Sequence, residues 1–152
     1  GFLEETLVMA QIAKKIAPFY TIDKDVVIGG VLLIKIGVIK QIKSGYISEN
    51  SKEGHLLGQT ILGRDILKTA IKKIKNFPID LKTKLEHIII SHENNYQPNT
   101  SYRPSFPEAL FIHFIYKLNS NMKLMEQIIL DDSDENEFTT KHNHFRLPIL
   151  KK

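Results

Sequence analysis

Residues 26–37 read VVIGGVLLIKIG and form part of the longest apolar run in the chain. A helix of this sequence is apolar on nearly every side, and such helices lie at the centre of a core. Asp23 or Asp25, just before the run, can cap its first turn. Gly29 and Gly30 reduce the bulk of the helix and favour close packing of a neighbouring helix. The run therefore predicts a central buried helix around which the rest of the chain folds.

Four further segments have apolar residues at helical spacing and polar residues on the opposite side. These segments are residues 2–17, 51–77, 81–92 and 107–130. Pro18 and Pro78 stop the first two of them, and Pro107 suits the first turn of the last. Residues 38–47 predict a connector with turns, and no segment predicts a convincing sheet. We therefore expect an all-α fold, a single helical bundle of about five main helices with an irregular C-terminal tail.

The length and composition suit a single domain. The chain has 152 residues, of which 42% are hydrophobic and 25% are charged. We place the domain at residues 1–130 and interpret residues 131–152 as an acidic linker and C-terminal tail, packed on the domain or trailing from it. Because an amphipathic pattern starts at once after Gly1, we expect the chain to be a piece of a longer protein.

The composition also excludes several classes of protein. The absence of cysteine excludes a disulfide framework, a thiol nucleophile and a thiolate metal site, and it suits a cytoplasmic location. The apolar run is shorter than the roughly 20 residues of a membrane span and Lys35 interrupts it, so we expect no membrane partner. The net charge of +4 permits contact with nucleic acid, although the abundance of Lys, Ile and Asn is better explained by AT-rich coding.

Five short motifs follow one another in a fixed order along the chain. They are GFLEETL at 1–7, GGVLLIKIG at 29–37, EGHLLGQ at 53–59, HIIISHE at 87–93 and EALFIHFIYKLNSNM at 108–122. In order and spacing they resemble the HD-domain metal-dependent phosphohydrolase superfamily, and among its members most nearly the YhaM-like 3'-5' exoribonuclease branch. The resemblance covers residues 1–130 and implies the helical bundle of an HD domain.

The resemblance also implies a metal centre that this sequence no longer has. In the family, a His of the first helix, a His-Asp doublet, histidines of the third and fourth helices and an Asp of the last helix hold one or two divalent metals. The matching positions here carry Glu5, Ile34, Lys35, Gln59, His92, Glu93 and Tyr116, and Val38 replaces the Lys that follows the doublet. The doublet has become a hydrocarbon and a cation, and neither offers the lone pairs that a metal needs. The resemblance thus implies a degenerate site with no catalytic residue, no metal and no other cofactor.

Lys35 has a positive charge at the position where the resemblance places the central metal ligand. An unpaired buried Lys would cost several kcal/mol, so the ammonium needs a carboxylate partner. Glu5 and Glu93 replace metal-binding histidines nearby. We predict an internal ion pair or cluster in which Glu5 and Glu93 pair with Lys35, and the prediction fails if neither carboxylate lies within hydrogen-bonding reach.

The remaining histidines allow two interpretations. His92 and His113 stand where the family has histidine, and a metal could in principle be held by His92, Glu93 and Glu5. Structural histidines with hydrogen-bonded rings are the favoured interpretation, and the same holds for His87.

Basic and aromatic residues outside these motifs suggest a nucleic-acid surface. The candidates are Lys68, Lys72, Lys73 and Lys75 on the third helix and Arg103 in the loop before the last helix. A solvated helix face is the favoured interpretation of the lysines. Tyr96, Tyr102 and Phe106 lie near Arg103 and could stack on bases or a nucleotide, although plain loop packing is favoured.

Three hypotheses for function follow, in order of preference. The first is a catalytically inactive HD-domain protein that acts as a scaffold, an oligomerisation module or a ligand- or RNA-binding module. The second is a metal-dependent phosphodiesterase or 3'-5' exoribonuclease with a rebuilt site. The third is a nucleic-acid-binding module that uses the third-helix lysines. The expected partners are RNA or a nucleotide and further copies of the same chain.

Overall fold

Helices form most of the protein, as the computed structural model shows for residues 1–43, 49–93 and 102–151. They are α1 (Phe2–Ile16), α2 (Lys24–Leu33), α3 (Val38–Gln41), α4 (Lys52–Ile71), α5 (Ile79–Ser91) and α6 (Pro107–Asp131), with a 3-10 turn at Ala17–Phe19 after α1. The strands β1 (Ile42–Lys43) and β2 (Glu49–Asn50) form an antiparallel pair. The predicted all-α helical bundle is therefore confirmed.

Side chains cap the first turns of two helices, and the cap of α2 is one of the two residues expected for it. The Asp23 carboxylate accepts hydrogen bonds from the backbone N–H groups of Asp25 (2.9 Å) and Val26 (3.2 Å), so Asp23 caps α2. Ser51 caps α4 by accepting a bond from the N–H of Gly54 (2.9 Å). Such caps satisfy N–H groups that have no partner inside the helix.

The predicted central helix is buried as expected. Val27, Val31 and Ile34 are fully enclosed, and α2 contacts both α1 and α5. Gly30 makes this packing close, since a Cβ atom there would lie 2.5 Å from the Cδ1 of Ile112. Gly29 faces open space instead, so the close-packing prediction is correct only for Gly30.

The second helix is shorter than predicted because the chain turns away before Gly37. Residues 34–37 form turns in which Ile36 N–H donates to the carbonyl of Leu33 (3.1 Å) and Val38 N–H donates to that of Lys35 (3.1 Å). Gly37 lies against the backbone of Gln59, where any Cβ atom would overlap the carbonyl oxygen. The second helix therefore ends just before the point at which α4 packs against the chain.

The segment after Gly37 is more regular than the predicted connector. It contains α3 and then β1, which pairs with β2 in the register Ile42 to Asn50 and Lys43 to Glu49. This pair is the minor sheet of an all-α fold, with two residues in each strand, and it agrees with the expectation of no convincing sheet. Strands of two exposed residues cannot show the alternation of apolar and polar residues by which a strand is recognised in a sequence.

The third helix contains a break that the periodicity does not show. Gly58 has φ +70° and ψ 167° inside α4, a conformation that is essentially restricted to glycine. The break separates residues 52–57 from residues 59–71, and Gln59 follows it directly.

Replacing Gly58 with Ala should lower the free energy of unfolding by about 1–3 kcal/mol, because of backbone strain alone. No described residue lies within 4 Å of a Cβ atom at this position, so the expected effect is that of the backbone conformation. The control is Gly29→Ala, a helical position with open space around it, which should raise stability by about 0.5–1 kcal/mol. Urea unfolding measures both, and equal effects of the same sign would contradict the role of the positive φ.

The described chain forms two compact units, Gly1–Tyr116 and Lys117–Lys152. In the second unit an isolated bridge joins Phe138 and Leu150 in the otherwise irregular tail. Lys151 Nζ lies 2.5 Å from Asp132 Oδ1, and this hydrogen bond lowers the pKa of the Asp132 carboxyl. The proposed domain boundary after residue 130 stays a prediction.

Among the described helices, none is long and apolar enough to cross a membrane.

Candidate functional site

Polar side chains from five segments of the first unit meet in one place. They come from α1, the turn after α2, the residue after the α4 break, the end of α5 and α6, and we call them the polar cluster: Glu5, Lys35, Gln59, His92, Glu93 and Tyr116. These are the positions that the resemblance assigned to the metal centre, apart from Ile34 and Val38. The structure therefore brings together residues that lie more than a hundred positions apart in the sequence.

Lys35 pairs with Glu5 at the centre of this cluster. Its Nζ forms an ion pair with Glu5 Oε2, and the side chains are only 16% and 27% exposed. The same Nζ lies 5.9 Å from the centre of the Tyr116 ring, within the range of a cation–π contact. The predicted pairing of Lys35 with Glu5 is thus confirmed.

Glu93 has other partners, so the prediction that it also pairs with Lys35 is wrong. Gln59 Nε2 donates to Oε1 of Glu93, and the Tyr116 hydroxyl donates to the same oxygen at 3.2 Å. Thr60 Oγ1 donates to Oε2 at 3.2 Å. Neutral donors already surround this carboxylate, which leaves Lys35 to Glu5.

His92 is buried, and among the described residues only one of its ring nitrogens has a hydrogen-bond partner. Its side chain is 1% exposed, and Nδ1 lies 2.7 Å from the carbonyl of Ile89. A carbonyl can only accept, so Nδ1 has the proton and Nε2 presents a lone pair. Among the described residues no atom hydrogen-bonds to Nε2, and Glu93 Oε1 lies 3.7 Å away. The ring also meets Tyr116 edge-on, with centroids 4.8 Å apart.

Burial lowers the pKa of His92 below its ordinary value of 6.5, although the Glu93 carboxylate partly offsets the effect. The unfolded chain binds the proton more readily, so the stability contributed by neutral His92 is complete above pH 6.5 and is lost as the pH falls through the folded pKa. Burial also lowers the pKa of His87, and this shift likewise makes the folded protein less stable as the pH falls.

We therefore expect the free energy of unfolding to fall between pH 7 and about pH 5, and His92→Gln to flatten that profile in part. Urea unfolding at several pH values measures the slope. The matched control is His55→Gln, which replaces an exposed histidine of α4. A profile as steep in His92→Gln as in the unchanged protein would contradict the assignment.

The polar cluster does not fit a divalent metal. Lys35 places an ammonium at its centre, and the Glu5 and Glu93 carboxylates are already bonded to other side chains. Ile34 is fully buried in the hydrophobic core, and Val38 lies half-buried in α3. Within residues 1–43, 49–93 and 102–151, no group of three His, Asp or Glu side chains is arranged to hold a metal ion.

The predicted nucleic-acid residues lie outside the polar cluster. Lys72, Lys73 and Lys75 are exposed at the end of α4 and beyond it, while Lys68 and Arg103 are half-buried. Tyr96 is outside the described residues. Phe106 packs on the ring of His87 with centroids 5.4 Å apart, and Lys84 Nζ lies 5.7 Å from the Phe106 ring. Loop packing is therefore the role of Phe106.

A cleft between α4 and α5 was not foreseen from the sequence. Its volume is about 370 Å³, and we call it the α4–α5 cleft; its lining includes Thr60, Ile61, Arg64, Glu86, Ile90 and Tyr102. The sequence contained one signal of a polar contact between these two helices. Arg64 and Glu86 are charged residues in two helices whose neighbouring positions turn inward, and such residues are expected to pair.

The chain is similar to curated exoribonucleases. It is 27% identical over 160 aligned positions to the 3'-5' exoribonuclease YhaM of Bacillus subtilis, covering all of this chain and 50% of that protein. It is 28% identical over 133 positions to the protein of the same name from Bacillus velezensis, covering 85% of this chain and 41% of that protein. The chain thus spans about half the length of the curated relatives it matches.

No family model matches the chain, and no solved structure is significantly similar to it. The resemblance to the YhaM-like HD-domain branch, expected from the motifs, is confirmed by these relatives.

Proposed function

We propose that this chain is an RNA-binding domain with a YhaM-like HD fold and that it does not itself hydrolyse RNA through a metal centre. The observation that supports the loss of catalysis is the ion pair between Lys35 and Glu5. The support for RNA comes from the relatives, which are named 3'-5' exoribonucleases. A cytoplasmic location and self-association stay predictions.

The charge of Lys35 opposes a metal at this position. An ammonium and a divalent cation about 4 Å apart repel each other by about 8 kcal/mol at an effective dielectric constant of about 20. Glu5 neutralises Lys35, but it is then no longer available as a ligand. One imidazole nitrogen and one carboxylate, from His92 and Glu93, remain for a metal that ordinarily takes at least three protein ligands.

The test combines metal analysis with two RNA assays. The purified chain is analysed for bound metal, then incubated with single-stranded RNA and manganese, and RNA binding is measured without manganese at several salt concentrations. We expect no stoichiometric metal, no turnover and salt-dependent binding. Stoichiometric metal together with turnover that His92→Ala abolishes would overturn the proposal.

One observation favours a second candidate, a metal-dependent phosphodiesterase or 3'-5' exoribonuclease with a rebuilt site. The Nδ1–H of His92 is bonded to a backbone carbonyl while Nε2 presents a lone pair, which is the arrangement of metal-binding histidines. The same metal analysis decides between the two candidates. His92→Gln should reduce bound metal only if the second candidate is correct.

The exposed lysines support the third candidate, a nucleic-acid surface at the end of α4. If Lys72, Lys73 and Lys75 each contact a phosphate, replacing all three with Gln should weaken RNA binding for every sequence and reduce the slope of log affinity against log salt by about 2. The control is the pair Lys14→Gln and Lys15→Gln, which removes exposed charge from the last turn of α1. An unchanged slope in the α4 triple variant would exclude these contacts.

A further inference from the structure

The α4–α5 cleft has the size of a small-ligand site. Its volume of about 370 Å³ lies within the range of sites that bind small molecules. Ile61 and Ile90 contribute aliphatic surface, and Tyr102 contributes an aromatic ring. Surfaces of this kind suit the flat face of a planar heterocycle.

Charged groups in the cleft and next to it favour an anion. Arg64 Nε lies 2.8 Å from Glu86 Oε2, and Lys82 Nζ lies 3.9 Å from the other oxygen of Glu86. Lys82 lies outside the cleft lining, but it adds a second positive charge beside Glu86, so the group of Arg64, Lys82 and Glu86 has a net positive charge. A guanidinium has five N–H donors, of which the ion pair uses that on Nε, and the Arg64 side chain is 38% exposed. Arg64 can therefore keep Glu86 as a partner while it binds a phosphate in two-pronged geometry.

The aromatic ring of the cleft belongs to an anchored segment. The backbone N–H of Ser105 donates to Nε2 of His87 at 3.1 Å, and a backbone hydrogen bond also joins His87 to Arg103. Phe106 packs on the His87 ring. His87 therefore holds the chain on both sides of Pro104 and sets the position of Tyr102 beside α5.

A row of basic residues leads away from the cleft along α4. Arg64 and Lys68 are four residues apart and so share a helix face, and Lys72 continues the row at the C-terminal cap. Successive members are displaced by about 6 Å along the helix axis. The row would place positive charges beside the phosphates of a strand that leaves the cleft.

From these features we infer that the α4–α5 cleft binds one nucleotide, with its base against Tyr102 and its phosphate at Arg64. The nucleotide is either a free nucleoside monophosphate or one unit of a single-stranded RNA. The second case deepens the proposed RNA-binding function and rests on it. The site is separate from the polar cluster, although Thr60 lines the cleft and also bonds to Glu93.

The experiment measures binding of adenosine monophosphate and of a short oligoadenylate by titration calorimetry, with ribose phosphate as a ligand that lacks the base. Tyr102→Ala should weaken binding of both nucleotide ligands about tenfold, and Tyr102→Phe should retain it because the ring remains. Arg64→Gln should weaken both about tenfold through the phosphate. Lys14→Gln is the control, and circular dichroism establishes that each variant is folded.

The outcomes separate this inference from the proposed function. If Tyr102→Ala, Arg64→Gln and the unchanged chain bind oligoadenylate equally well, the α4–α5 cleft is not the nucleotide site, and the proposed RNA binding is unaffected. If adenosine monophosphate binds through both residues and oligoadenylate does not bind, the α4–α5 cleft is supported as a nucleotide site and the RNA-binding function is overturned. Failure of both ligands to bind the unchanged chain overturns both.

Discussion

Replacing Glu5 with Ala is expected to lower the free energy of unfolding by about 2 kcal/mol. The substitution leaves the Lys35 ammonium, which is only 16% exposed, without its carboxylate partner. Breaking a fully buried pair costs about 3–5 kcal/mol, and the partial exposure of both side chains reduces that figure. Urea unfolding at neutral pH measures the effect.

Two further variants make this prediction specific. Glu4→Ala, in which the replaced side chain is 74% exposed, should change stability by less than about 0.5 kcal/mol. The double variant Glu5→Leu with Lys35→Met should recover most of the loss, because apolar residues of similar size often replace a buried ion pair without cost. A double variant that is less stable than Glu5→Ala would contradict the argument.

The second large effect is expected at Gly37. A Cβ atom there would overlap the carbonyl oxygen of Gln59 and lie 2.7 Å from the backbone nitrogen of Gly63. Backbone atoms cannot turn aside as a flexible side chain can, so α3 and α4 must separate. We expect Gly37→Ala to lower the free energy of unfolding by about 3 kcal/mol, at the upper end of the range for overpacked sites.

Urea unfolding measures this effect too, and Gly29→Ala is again the control because it adds the same methyl group in open space. The separation of α3 and α4 would also move Gln59 away from Glu93, which predicts a changed environment for Tyr116 in the NMR spectrum. A Gly37→Ala variant as stable as the unchanged protein would show that α4 does not approach the turn so closely.

The helical bundle could be predicted because it depends on local patterns. The apolar run at residues 26–37 predicted the central helix, and prolines and capping residues placed the ends of others within a few residues. The end of α2 at Leu33 and the break at Gly58 could not be predicted. The end of α2 depends on the approach of Gly37 to α4, which is a tertiary contact, and the break is the backbone conformation of a single residue, so neither leaves a periodic signal.

The polar cluster was predictable only through the family motifs. They identified Glu5 and Lys35, which no spacing argument would connect across thirty residues. They did not indicate which carboxylate takes the ammonium, because that depends on the donors from Gln59, Thr60 and Tyr116 that surround Glu93. The α4–α5 cleft lies outside the family motifs for the most part, and only the folded arrangement of α4, α5 and Tyr102 reveals it.

The ion pair between Lys35 and Glu5 also limits how this sequence can evolve. A single change of Lys35 to Asp would set two carboxylates side by side, and like charges at such a distance repel. A single change of Glu5 to His would leave the ammonium without its partner. Either change by itself therefore gives a less stable protein, so evolution back to the family's ligands at these two positions requires both substitutions together.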